Sequence, residues 1–88
     1  MKIIYKKSIV KDVKNINDKN LILKIENIIN EIKLAENISE ISNVRKLKGH
    51  SDAFRIRIGD YRLGFFLEND EVILCRFLKR NDIYKLFP

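Results

Sequence analysis

The sequence predicts an α+β domain. Its expected core is a small antiparallel sheet of about four strands with two N-terminal helices packed on one face. The element order is β-α-α-β-β-β, closed by a short C-terminal helix or turn. Three observations carry this. Leu21, Ile22, Ile25, Ile28, Ile29 and Ile32 form one apolar stripe at helical spacing. Phe54-Arg55-Ile56-Arg57-Ile58 alternates with the period of a half-buried strand. Gly59-Asp60 then separates that strand from a second apolar run as a two-residue hairpin turn.

Each element has a local reason. Residues 2–6, Lys-Ile-Ile-Tyr-Lys, are β-branched and aromatic and predict a first strand. Ser8 is a candidate helix cap, and Ile9, Val13 and Ile16 fall at helical spacing over residues 8–16. Asn17-Asp18-Lys19-Asn20 breaks that pattern, and the longer helix follows over residues 20–36. The two helices are expected to form an antiparallel hairpin over the sheet. Residues 37–49 are polar and are assigned as a linker ending in Arg45-Lys46-Leu47-Lys48. Strands are predicted over 53–58, 61–67 and 72–78, with a turn at Glu68-Asn69-Asp70-Glu71. Residues 82–87 predict a terminal turn or short helix.

Alternation assigns the faces. Phe54, Ile56, Ile58, Leu63, Phe65 and Leu67 point toward the helices. Arg55, Arg57, Arg62, Gly64 and Phe66 point the other way, onto a face expected to be open and basic. The register of the last strand depends on its turn. A three-residue loop brings Arg76 beside Gly64 on the arginine face. A two-residue loop buries Arg76, which is costly without a partner. The three-residue loop is therefore preferred.

Composition narrows the function. Eighty-eight residues make a single domain spanning 1–88, and the net charge of +6 with a pI of about 9.6 attracts anions. All six arginines lie in the second half, although lysine supplies the positive charge elsewhere. One cysteine, Cys75, excludes an internal disulfide and a cysteine-rich metal site. No run approaches the ~18 apolar residues of a membrane span, and the first residues are charged and strand-like. A cytoplasmic protein without a membrane partner is expected. His50 is the only histidine, and the carboxylates fall mostly in turns and on helix surfaces, so no metal or other cofactor is expected. Gly49, Gly59 and Gly64 fit no phosphate-loop spacing. No serine has a histidine base at recognisable spacing.

What remains is chemistry by cations and a phenol. The hairpin sets Arg57 opposite Arg62, and like charges opposed on a sheet destabilise it. Forked guanidiniums suit a bound phosphate. RNA cleavage can run on such groups: the substrate's own 2′-hydroxyl attacks the adjacent phosphate, while the protein orients it and neutralises its charge. The competing assignment is structural. Asp60 or Glu68 would separate Arg57 from Arg62, Tyr84 would close a core edge, and Lys46 and Lys48 would be a solvated linker.

Leu47-Lys48-Gly49, the run from Phe54 to Arg62 and the closing Leu78-Lys79-Arg80-Asn81-Asp82-Ile83-Tyr84 resemble the RelE/ParE superfamily of bacterial type II toxin–antitoxin toxins. The resemblance covers essentially the whole chain. It implies a metal-independent endoribonuclease that cuts mRNA, often on the ribosome, and a cognate antitoxin as partner. By resemblance, Arg62 contacts the phosphate and its transition state. Arg55 and Arg57 bind and activate the scissile region. Arg80 stabilises charge or protonates the leaving group, and Tyr84 stacks on a base or assists proton transfer. Many relatives carry histidine where this chain has Lys79, a poorer base at neutral pH. The general base is therefore left open among Lys79, Lys48 and the strand positions. The expected catalytic set is Arg57, Arg62, Lys79, Arg80 and Tyr84, with Lys46, Lys48, Arg55 and Arg76 binding RNA. Two alternatives are a ParE-like DNA gyrase inhibitor that acts by binding and a degenerate toxin that only binds its antitoxin.

Overall fold

The computed structural model describes all residues, Met1–Pro88. The elements run β1 (Lys2–Tyr5), α1 (Lys7–Lys14), α2 (Lys19–Leu34), β2 (Val44–Lys46), β3 (Ala53–Ile58), β4 (Tyr61–Glu68), β5 (Glu71–Lys79) and α3 (Arg80–Leu86). A single 3₁₀ turn, Ile38–Glu40, precedes β2. The α+β class and the order of the long elements agree with the sequence pattern. The sheet differs in two respects. It has five strands, ordered β1-β5-β4-β3-β2, and β1 runs parallel to β5. The sheet is therefore mixed rather than antiparallel. The extra strand, β2, lies within the stretch assigned as linker.

Local chemistry sets the elements. Asp18 caps α2 by accepting from the backbone N–H of Asn20 and Leu21. Ser8 is not a cap. It lies in the first turn of α1, and its hydroxyl donates to the Cys75 carbonyl on β5. Gly59 has φ +59°, the left-handed conformation a tight hairpin needs at its first turn position. The β4–β5 turn is the two-residue Asn69-Asp70, with both φ values positive, as a type I′ turn requires.

That turn corrects the expected three-residue loop, yet Arg76 still pairs with Gly64. The register shifts between Gly64 and Phe65, and Phe65 pairs with Leu74, so Cys75 is the extra residue of a β-bulge. The bulge restores the face that a two-residue turn alone would have reversed.

Each side of the sheet carries a core. The main one joins Ile9, Ile25 and Ile32 of the first two helices to Ile56, Ile58, Leu63, Phe65, Val72, Leu74 and Phe77. Stacking of Tyr61 on Phe77, ring centroids 4.9 Å apart, extends it toward the hairpin. The opposite face is not wholly open. Helix α3 folds back onto it, and Ala53, Cys75, Ile83 and Phe87 form a smaller core there. Between α1 and α2 lies an apolar groove of about 320 Å³, lined by residues including Tyr5, Val10, Val13 and Ile29.

Strand β1 ends at Tyr5, and α1 takes over the edge of β5 beyond it. The Asp12 carboxylate accepts the Phe77 backbone N–H at 2.9 Å and grips Arg76 through Nε at 2.8 Å and Nη2 at 3.2 Å. A helix side chain thus satisfies a strand edge that would otherwise stay unpaired.

Candidate functional site

The cleft forms where alternation, a tight turn and α3 coincide. Strand β3 presents Arg55 and Arg57 on the face away from the main core. Pairing sets Arg57 against Arg62 and Arg55 against Gly64, while β2 sets Arg45 against Arg55. Helix α3 starts without a linker after Lys79, and its first N–H, on Arg80, donates to the Asp60 carbonyl of the hairpin turn at 2.9 Å. Arg80 and Tyr84 are one helical turn apart and therefore share a face. The result is a cleft of about 370 Å³ lined by Asn43, Val44, Arg45, Arg55, Arg57, Arg62, Arg80 and Tyr84.

None of the five cleft arginines has a carboxylate partner. The ion pairs of the chain are Lys2–Glu71 and Asp12–Arg76, both elsewhere. Asp60 and Glu68 do not separate Arg57 from Arg62. Arg62 is instead held by its own turn, its Nη1 donating to the carbonyls of Gly59 at 3.0 Å and Tyr61 at 2.9 Å. Burial lowers the Arg62 pKa, and the neighbouring Arg80, Arg57 and Arg55 lower it further against an opposing pull from Tyr84. Even so, a guanidinium stays charged at neutral pH.

Tyr84 is the one acid–base group among these cations. Arg80 Nε donates to its Oη at 3.0 Å, and the Arg55 guanidinium carbon lies 4.6 Å from its ring centroid. The hydrogen bond from Arg80 lowers the Tyr84 pKa, with further lowering from the charges of Arg80, Arg55 and Arg62. The same bond raises that of Arg80. The cluster therefore makes this phenol easier to ionise than a free tyrosine, beside the open volume of the cleft.

The expected residues divide accordingly. Arg55, Arg57, Arg62, Arg80 and Tyr84 converge on the cleft. Arg76 does not: it shares a register row with Gly64, but Asp12 holds its guanidinium at the β5 edge. Lys79 pairs with Tyr61, two residues after Phe77, so alternation puts it on the face of the main core. Lys46 pairs with Phe54 and falls on that same face. Lys48 lies beyond the end of β2 and does not line the cleft. Arg45 was missed, because three residues of edge strand inside a polar segment leave no alternation to read. Its only signal was being arginine in a chain that prefers lysine.

No family model matches the chain. It is 34% identical to the Toxin RelE3 of Methanocaldococcus jannaschii over 89 residues, covering 100% of both chains. The crystal structure of a RelB-RelE antitoxin-toxin complex from Methanococcus jannaschii contains a similar chain. It is 32% identical with a TM-score of 0.82, covering 97% of this chain and 99% of that one. The YoeB dimer of Staphylococcus aureus shares the fold at a TM-score of 0.71 and 20% identity, over 90% and 94% of the two chains. A full-length match above 30% identity, together with the same fold, establishes that the chain belongs to the RelE family of toxins.

Proposed function

We propose that the chain is the toxin of a toxin–antitoxin pair and that it cleaves mRNA on the ribosome, with the arginine cleft as its active site. The observation that carries this reading is the cluster of five unpaired guanidiniums around one polarised tyrosine. In the proposed step, the phenolate of Tyr84 takes the proton of the substrate's 2′-hydroxyl. The 2′-oxygen bonds to the adjacent phosphorus, and the bond to the 5′-oxygen breaks. A 2′,3′-cyclic phosphate and a 5′-hydroxyl remain, the latter protonated from water. Arg62, Arg57 and Arg80 neutralise the charge that builds on the phosphoryl oxygens. Such preorganised donors are worth ~3–4 kcal/mol each when removed singly. Arg55 and Arg45 hold the flanking backbone. In this reading Tyr84 takes the base role, supported by Lys79 falling on the face of the main core.

The proposed partner is an antitoxin, as in the RelB-RelE complex to which the chain is 32% identical. An acidic segment would complement the cleft, and an amphipathic helix would suit the groove between α1 and α2. Induced expression of the chain alone is expected to arrest growth and to leave new mRNA ends. The Arg62→Ala/Arg80→Ala double variant, folded by circular dichroism, is expected to restore growth and remove those ends. Arrest that persists in this variant would falsify the cleft assignment. Arrest without new RNA ends, but with loss of supercoiling in a gyrase assay, would replace cleavage by gyrase binding.

A further inference from the structure

Helix α3 and the residue that ends it carry two adjacent rows. Arg80 and Tyr84 face the cleft, while Ile83 and Phe87 dock on the sheet, 0% and 6% exposed. Seven residues are too few for a helix to hold its place alone, since isolated helices below ~12 residues are marginal in water. Packing must therefore set the position of α3. Its start is pinned by the Arg80 N–H on the Asp60 carbonyl. Its end is pinned by Phe87, whose N–H donates to the Ile83 carbonyl at 2.9 Å and whose ring lies 5.2 Å from that of Phe66.

The seat of Phe87 is a missing side chain. A Cβ on Gly64 would lie 2.6 Å from Phe87 Cδ2, 2.8 Å from Cγ and 2.9 Å from Cε2. Gly64 stands in register between Arg55 on β3 and Arg76 on β5. The guanidinium of Arg76 is drawn to Asp12 at the sheet edge, and the ring of Phe87 occupies the space over Gly64. The φ of Gly64 does not call for glycine; the close approach of the ring does.

We propose that Gly64 and Phe87 are positioning residues of the cleft: the ring seated in the glycine's vacancy sets the depth and rotation of α3, and so places Tyr84 against Arg55 and Arg80. Neither residue touches the cleft itself. The kinetic arm of the test rests on the proposed RNA cleavage, and the spectroscopic arm does not.

Gly64→Ala puts a methyl group into the ring and pushes α3 outward. Displacing a catalytic group by ~1 Å costs up to ~10²-fold in rate. The expected result is a fall in kcat of about tenfold or more on a short RNA, with KM changed by less than about threefold. The phenol of Tyr84, titrated by ultraviolet difference against Tyr84→Phe in each background, should move back toward its ordinary value of about 10. A loss of stability that left α3 in place would not move it. Phe87→Leu removes ring volume without a clash, and should make Gly64→Ala much less harmful in the double variant, a non-additive pair. If Gly64→Ala does not fold, Phe87→Leu alone decides, through the same titration. Unchanged kcat and unchanged phenol titration in the folded variants overturn the proposal. If the wild-type chain cuts no RNA yet the titration shifts as expected, the cleavage reading fails and the positioning role stands.

Discussion

At the scale of one residue, the proposed cleavage rests on Tyr84. A free phenol is almost wholly protonated at neutral pH and makes a poor base. Here Arg80 donates to its oxygen, and Arg55 and Arg62 add positive charge, so its pKa lies below the ordinary 10.0. The base form gains population as pH rises, and its inflection comes earlier than for a free tyrosine. The proposed cleavage is therefore expected to speed up as pH rises, with its inflection below that of a free tyrosine. Tyr84→Phe should flatten that rise, and Arg80→Ala should shift it to higher pH. A pH–rate profile under single-turnover conditions checks both; an unaltered slope in Tyr84→Phe would assign the base elsewhere. The folded-state stability linked to this phenol has the same sign, present at alkaline pH and lost as pH falls through the lowered pKa. The arginines around it were legible because alternation and a two-residue turn fix Arg55, Arg57 and Arg62 on one face. Arg76 was assigned to the correct row, but nothing in the local sequence announces that Asp12, 64 residues away, takes its guanidinium.

Among the elements, the least legible was the edge of β5. Strand β1 covers its first part and α1 the rest, through Ser8 and Asp12. A sequence pattern reports which face of a strand is apolar; it carries no record of what lies beside it. The parallel pairing of β1 with β5, the three-residue β2 and the bulge at Cys75 all escaped for that reason. Asp12 gives this edge a measurable weight. Replacing it by alanine leaves the Phe77 N–H without an acceptor and Arg76 without a counter-charge, at a cost of about 1–3 kcal/mol. Asp12→Asn keeps an acceptor and should cost less. Urea denaturation followed by circular dichroism separates the two, and equal midpoints for wild type and Asp12→Ala would remove the edge-capping role. The long elements were legible because each meets a strong local rule, such as the apolar stripe of α2 or the alternation of β3.

The whole molecule carries a net charge of +6, and five of its cations crowd one cleft without a counter-ion. Their mutual repulsion is relieved when an anion arrives, so binding should feed back on stability. A non-cleavable 2′-O-methyl oligonucleotide at ~100 times its Kd adds about 2.7 kcal/mol, on the order of 10 °C in Tm for a domain of this size. Raising the salt should shrink that shift by screening, and Arg55→Ala should reduce it at every salt concentration. A thermal melt showing no shift at saturating oligonucleotide would mean that the cleft does not hold a nucleic-acid backbone. The small core beneath α3 ties the cleft to the fate of the chain in a cell. Ile83 and Phe87 are buried only while α3 is docked, and the same docking assembles Tyr84 with Arg55. A copy whose helix has lifted loses its cleft and bares an apolar patch at once. Copies without an assembled cleft would thus be the sticky ones, open to chaperones and proteases, while copies with α3 docked keep that surface covered.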